Sequence, residues 1–174
     1  TGEGGALFAK DANLQHQLFY SHNFGHNGPE AFHGLGINAK ISELQAAMGL
    51  AVLPYMETIL ESRKKVVAYY NQHLNFKELK TIKIRKDSEW NYSYYPIIFE
   101  TESQLLQVQK ALNATNIFPR RYFYPSLNTI AYVKGAAMPV SESIASRILC
   151  LPLYAGLETS DLEQIVHLIN TKIC

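Results

Sequence analysis

Three stretches of this chain carry side chains whose types and spacing could do chemistry. The first is Gly34-Leu35-Gly36-Ile37-Asn38-Ala39-Lys40-Ile41-Ser42-Glu43-Leu44-Gln45-Ala46-Ala47-Met48-Gly49, a glycine-punctuated approach to an amphipathic helix. Gly34 and Gly36 allow backbone angles and close approaches that a side chain forbids, so Asn38 and Lys40 are presented at a helix entrance. Free N–H groups there, with an amide and an ammonium, can hold an anion such as a phosphate. The same residues serve equally as a loop capping a core helix. The second stretch, Pro119-Arg120-Arg121-Tyr122-Phe123-Tyr124-Pro125-Ser126-Leu127-Asn128, interleaves guanidinium forks with phenol hydroxyls. Its aromatics suit a pocket or a packed strand end. The third holds His22 and His26, four residues apart. Asn23, Gly25 and Gly28 argue against a helix there and no third ligand is near, so no metal site is expected. Cys150 sits in an apolar run without a neighbouring base and reads as core.

Composition bounds what these stretches belong to. A chain of 174 residues, 47% hydrophobic and 18% charged, is an ordinary globular sequence able to bury one sizeable core. A formal net charge of +1 gives no electrostatic case for nucleic acid or an acidic membrane surface. Cys150 and Cys174 make neither a zinc motif nor a disulfide framework, so a reduced, cytoplasmic chain is expected. No window reaches the roughly 18 consecutive apolar residues of a membrane span.

The elements that must position these residues are legible from periodicity and caps. Gly4 to Ala9 reads as a strand end. Asp11 caps a helix through Leu14, Leu18 and Phe19, and Ser21 to His33 is a polar loop. From Ile41, the helical spacing of Leu44, Ala47, Met48 and Ala51 implies one buried face. Pro54 implies a break at Leu53 before a second helix through Ile59, Leu60, Val67, Tyr70 and Leu74. Tyr92 to Phe99 reads as a strand, with Pro96 demanding an edge or a bulge. Thr101-Glu102-Ser103-Gln104 is a capping box opening a helix through Leu105, Val108 and Leu112. Ile117 to Tyr124 and Arg147 to Leu153 are further strand candidates, separated by a short helix near Ser141 to Ala145. A last helix turns Leu162, Ile165, Val166 and Ile169 inward. The fold class expected is α/β, with a small α+β domain at the end.

The order of Thr1-Gly2-Glu3-Gly4-Gly5, Gly36-Ile37-Asn38 with Ser42-Glu43-Leu44-Gln45-Ala46-Ala47, Arg120-Arg121-Tyr122-Phe123-Tyr124-Pro125, and Leu149 to Leu157 resembles the DegT/DnrJ/EryC1/StrS family of pyridoxal-phosphate-dependent sugar aminotransferases. The resemblance implies the C-terminal part of a fold-type I enzyme. Residues 1–53 would be the tail of the large cofactor-binding domain with a dimer-facing loop, 54–75 a bridging helix, and 76–174 a small C-terminal domain. It places the Schiff-base lysine upstream of Thr1, so no catalytic residue is expected here and the 174-residue chain alone is expected to be inactive. An apolar surface near Ile41 to Leu53 is the corollary.

By the same resemblance, Asn38 reaches the phosphate of pyridoxal 5'-phosphate in the neighbouring subunit of a homodimer. Lys40 replaces the usual arginine, keeping the charge but losing its fork. Gly2, Gly4 and Gly5 shape the cofactor wall. Arg120, Tyr122, Tyr124 and Asn128 are the substrate-binding candidates, because arginine forks and tyrosine hydroxyls suit a diphosphate and a hexose. Where many relatives have a histidine, Asn128 is the nearest polar group. The implied activity moves an amino group from an amino-acid donor, glutamate foremost, to a nucleotide-linked keto-sugar, a dTDP- or UDP-keto-deoxyhexose, in surface polysaccharide or amino-sugar synthesis. A sugar dehydratase on the same scaffold, with histidine for the lysine, and a non-catalytic sensor or scaffold are the alternatives. The residues upstream of Thr1 would separate the first two.

Overall fold

The computed structural model describes residues 3–173, so Thr1, Gly2 and Cys174 lie outside it. The chain divides after Met56 into two compact units.

The first unit begins with Glu3–Ala9, the stretch expected to end a strand of a sheet built mostly by other residues, which joins no ladder among the described residues. α1 (Ala12–Ser21) starts at the N-cap Asp11, whose Oδ1 accepts the Leu14 N–H at 2.8 Å. A loop then folds back on itself: the N–H groups of Phe24 and Ile37 donate to Ile37 O and Ser21 O at 3.0 and 2.8 Å. Two glycines permit that approach. Gly25 has φ +75°, and a Cβ on Gly36 would lie 2.2 Å from the Gly25 nitrogen, inside any tolerable contact. α2 (Glu43–Val52) opens with a capping box in which Ser42 Oγ accepts from Gln45 N and Gln45 Oε1 accepts from Ser42 N. A 3-10 turn, Leu53–Tyr55, holds Pro54 in its first positions and makes the expected break. The apolar face of α2 is not buried within this chain: the helix buries no residue, with Leu44 84% and Met48 51% exposed, as the expected apolar surface requires. Ile41 to Leu53 is an apolar surface.

The second unit has its own core. α3 (Met56–His73), α4 (Glu102–Asn113) and α6 (Thr159–Ile173) bury Tyr70, Leu105, Val108, Leu112, Ile165 and Ile169 against a three-stranded antiparallel sheet. Its order is β1 (Lys80–Thr81), β2 (Tyr95–Ile98), β3 (Ile148–Leu151). Each such fully buried aliphatic side chain contributes roughly 1.5–3 kcal/mol. Thr101 and Gln104 form the expected capping box of α4, and α5 (Pro139–Arg147) precedes β3. The Tyr70 hydroxyl donates to Pro152 O at 2.9 Å and that of Tyr95 to Asn71 Oδ1 at 2.6 Å. Burial pushes both phenols far above the usual tyrosine range, so they stay neutral donors.

Two sequence expectations change here. Pro96 lies in the central strand rather than at an edge. It is tolerated because a strand residue turns its nitrogen and carbonyl to the same neighbour. The Pro96 carbonyl accepts from Thr81 Oγ1 at 2.7 Å, and β1 ends at Thr81, paired with Ile97. The missing N–H therefore faces the space past the end of β1. Ile117 to Tyr124 is not a strand: it makes a single ladder pair, Arg120 with Cys150, and then turns, Tyr122 N–H donating to Arg120 O at 3.1 Å.

Candidate functional site

In the first unit, the loop carrying Asn38 is pinned on both sides, since Ala39 N–H donates to His22 O at 2.9 Å and Asn23 pairs with Asn38. Asn38 is exposed, and it does not cap α2, a role Ser42 fills. Its Oδ1 accepts from Lys40 Nζ at 2.7 Å, which leaves the amide nitrogen as the group not used in that bond. Among the described residues that nitrogen has no partner. The Lys40 ammonium also stands 4.2 Å from the centre of the Phe24 ring. Lys40 lines a cavity of about 700 Å³ with Glu3, Gly4, Gly5, Gln15 and Gln45; Asn38 does not. An exposed amide nitrogen and an ammonium are a suitable donor set for a phosphate, and among the described residues no carboxylate pairs with Lys40. His22 donates through Nδ1 to Leu18 O at 3.3 Å, and His26 stacks on Phe32.

In the second unit the antiparallel pair with Cys150 sets the direction of Arg120. Leu149 and Leu151 point into the core, so Cys150, and with it Arg120, stands on the opposite face of the sheet. Arg120 donates through Nη1 to the Tyr122 hydroxyl, and Tyr122 packs edge-on against Tyr94 with centroids 5.5 Å apart. Arg120, Tyr122, Tyr94, Asp161 and Gln164 line a cavity of about 590 Å³. Cys150 forms part of its floor; burial raises the thiol's pKa, against a smaller opposing effect of the Tyr122 N–H, so it is a poor nucleophile.

The other two candidates are placed elsewhere. Tyr124 lies outside that cavity, its ring 3.6 Å from the Arg121 guanidinium. Asn128 spends both amide hydrogens internally, on Glu142 Oε1 at 2.6 Å and Ala136 O at 3.1 Å, while its Oδ1 accepts from Ser126 Oγ at 2.6 Å. It fastens a loop and has no donor left for a ligand. Arg121 is absorbed by the fold as well: it pairs with Glu102 at 2.6 Å and donates to Ser146 O at 2.9 Å. Adjacent arginines thus face opposite ways. Sequence reading missed Gln45 and Glu142; the Ser42-x-x-Gln45 spacing was the available signal for the first.

A family model described as the DegT/DnrJ/EryC1/StrS aminotransferase family matches residues 1–170. The chain belongs to the DegT/DnrJ/EryC1/StrS aminotransferase family. A dTDP-4-amino-4,6-dideoxy-D-glucose transaminase of Shigella dysenteriae is 36% identical over 98% of this chain and 48% of its own length. One with the same name from Escherichia coli is 31% identical, again over 98% of the chain and 48% of its length. The crystal structure of a family member from Brucella abortus superposes with a TM-score of 0.83 at 26% identity, covering 95% of this chain and 45% of that one. The chain spans about half the length of the curated relatives it matches. Among the described residues no helix is long and apolar enough to cross a membrane.

Proposed function

We propose that the protein to which these residues belong is a pyridoxal-phosphate-dependent aminotransferase acting on a nucleotide-linked keto-sugar, with glutamate as amino donor. The observation that carries this is the exposed Asn38–Lys40 pair, a preformed donor set in a chain of this family. Pyridoxal phosphate, when bound, supplies the electron sink that lets an amino group leave one carbon for another. This chain's part is to hold and orient. Asn38 Nδ2 and Lys40 Nζ are assigned to the phosphate, with the turn lent to the cofactor of a second copy in a homodimer. Arg120 and Tyr122 are assigned to the anionic and hydroxyl-bearing parts of the substrate. Tyr124 is kept as a rim residue, its ring fixed by Arg121. Residues up to the helix break at Pro54 are assigned to a large cofactor domain, α3 to the bridge, and the rest to a small domain, all in the cytoplasm.

Named relatives act on dTDP-linked 4-amino-sugars and on UDP-linked 3-keto-glucosamine, so both nucleotides are the substrates to try. With the complete protein, pyridoxal phosphate and 15N-glutamate, mass spectrometry should find the label in the amino-sugar formed from a dTDP- or UDP-keto-deoxyhexose, with 2-oxoglutarate as the co-product. Asn38→Ala should raise the cofactor Kd by about ten- to a hundredfold, the loss of one hydrogen bond to a charged group. Cofactor binding without label transfer to either sugar would overturn the substrate assignment.

A further inference from the structure

We propose that Arg121 and Glu102 are positioning residues for the nucleotide-sugar: from the side facing α4 and α5 they clamp the turn whose other side presents Arg120 and Tyr122. The substrate half of this rests on the function proposed above; the clamp itself rests on contacts made inside the second unit. Glu102 is the first residue of α4, and the start of that helix is fixed by its capping box, Thr101 Oγ1 accepting from Gln104 N and Gln104 Oε1 from Thr101 N, both at 3.2 Å. Leu105, Val108 and Leu112 seat the helix in the core. Ser146 lies in the last turn of α5. That turn is tied to the residue after β2, where Arg147 Nη1 donates to Phe99 O at 2.7 Å and Phe99 N to Arg147 O at 3.0 Å. Arg121 Nη2 reaches both supports, Glu102 Oε1 at 2.6 Å and Ser146 O at 2.9 Å, while the Tyr124 ring centre lies 3.6 Å from the guanidinium carbon.

The residues on either side of Arg121 are the ones assigned to substrate. Arg120 exchanges two backbone hydrogen bonds with Cys150 of β3, at 3.1 and 2.8 Å, and Tyr122 N–H donates to Arg120 O at 3.1 Å. The Tyr122 hydroxyl accepts from Arg120 Nη1, and both side chains line one cavity with Asp161 and Gln164. Alternate residues of an extended chain point opposite ways. Holding Arg121 against α4 and α5 therefore sets the direction of the two side chains it separates. A guanidinium suits this place, because it donates in its plane and takes an aromatic ring on its face, whereas a lysine ammonium supplies a point charge.

Amino transfer has two half-reactions, and kcat/KM for the donor and for the keto-sugar report them separately. In the complete protein, Arg121→Lys should lower kcat/KM for the dTDP- or UDP-keto-sugar about tenfold and leave that for glutamate within about twofold, because Arg120 and Tyr122 are assigned to the sugar alone. Glu102→Gln should act in the same direction by a smaller factor. The double variant should be no worse than Arg121→Lys, as expected of two residues that act as one unit. A proportional fall in both values would reflect a smaller folded fraction and overturn the positioning role, as would no fall in either. The 19F spectrum of protein carrying 3-fluorotyrosine, with the Tyr122 line assigned through Tyr122→Phe, reads the clamp without turnover. Arg121→Lys and Glu102→Gln should each move that line, and an unmoved line would overturn the clamp. Failure of the unsubstituted protein to aminate either sugar would instead sink the proposed function, and the fluorine spectra would still decide the clamp.

Discussion

The two units solve the problem of local order by different means. Glu57 to Ile173 buries a continuous set of aliphatic and aromatic side chains, with Ile97, Leu105, Val108, Leu112, Leu149, Ile165 and Ile169 fully enclosed. In the first unit Gly25 is the one buried position among the described residues. Leu7, Phe8, Leu35, Leu44 and Leu50 are each more than two-thirds exposed, and shape comes from backbone pairing, caps and glutamine amides. Hydrogen bonds define geometry but contribute little net stability, about 0.5–1.5 kcal/mol each, whereas apolar burial is the main driving force. One unit is stabilised from within; the other has its apolar surface still to bury.

Separating the units at Met56 is the strongest way to break this contrast. Residues 57–174 alone should unfold in one cooperative denaturant transition, and residues 1–56 alone should show none by circular dichroism. A cooperative transition in the shorter piece would mean that its polar contacts suffice.

A pair of truncations sharpens the same contrast within the whole chain. Ile165→Ala empties a fully enclosed site and should cost about 2–5 kcal/mol in denaturant unfolding of the second unit. Leu44→Ala, on a helix of equal regularity but 84% exposed, should stay within about 0.5 kcal/mol. Comparable losses would show that α2 packs in solution as α6 does.

How far the sequence speaks follows the same division. The Thr101–Gln104 box, the inward residues of α4 and α6 and the break at Pro54 are local signals, and the structure has all of them. The membership of the family was legible in the ordered motifs. The open apolar face of Leu44 and Met48 was legible only as a corollary of the resemblance, because helical spacing reports a face without reporting its partner. Other features were not legible. The fate of Gly4 to Ala9 and of Ile117 to Tyr124 depends on ladder partners distant in sequence. Which of Arg120 and Arg121 is free depends on Glu102, nineteen residues away along the chain, and no spacing rule finds it. Asn128 is the sharpest case: a polar residue in a substrate-like stretch whose donors go to Glu142 and Ala136.

That last contact gives the smallest effect and a test of kind rather than size. In the first unit Gln45 Nε2 donates to Glu3 O at 2.8 Å and Gln15 Nε2 to Ala9 O at 2.5 Å; these clips are neutral amides on carbonyls, and acid leaves them intact. The loop from Ser126 to Glu142 is fastened by a carboxylate, with Glu142 Oε1 accepting from Met138 N at 2.8 Å and Asn128 Nδ2 at 2.6 Å. Those bonds, the Met138 N–H first and the Asn128 amide second, hold the Glu142 carboxyl below its ordinary range. A depressed carboxyl adds stability that is complete above the unfolded value, about 4.3 for glutamate, and is lost as pH falls through the lower folded value. The Asn128 side-chain amide resonance should therefore move with a midpoint below that of an ordinary glutamate, and Glu142→Gln should abolish the transition while leaving the Gln45 amide unmoved in both proteins. If Gln45 shifts alongside Asn128, acid is loosening the whole molecule, and the distinction between a charged clasp and neutral clips does not hold.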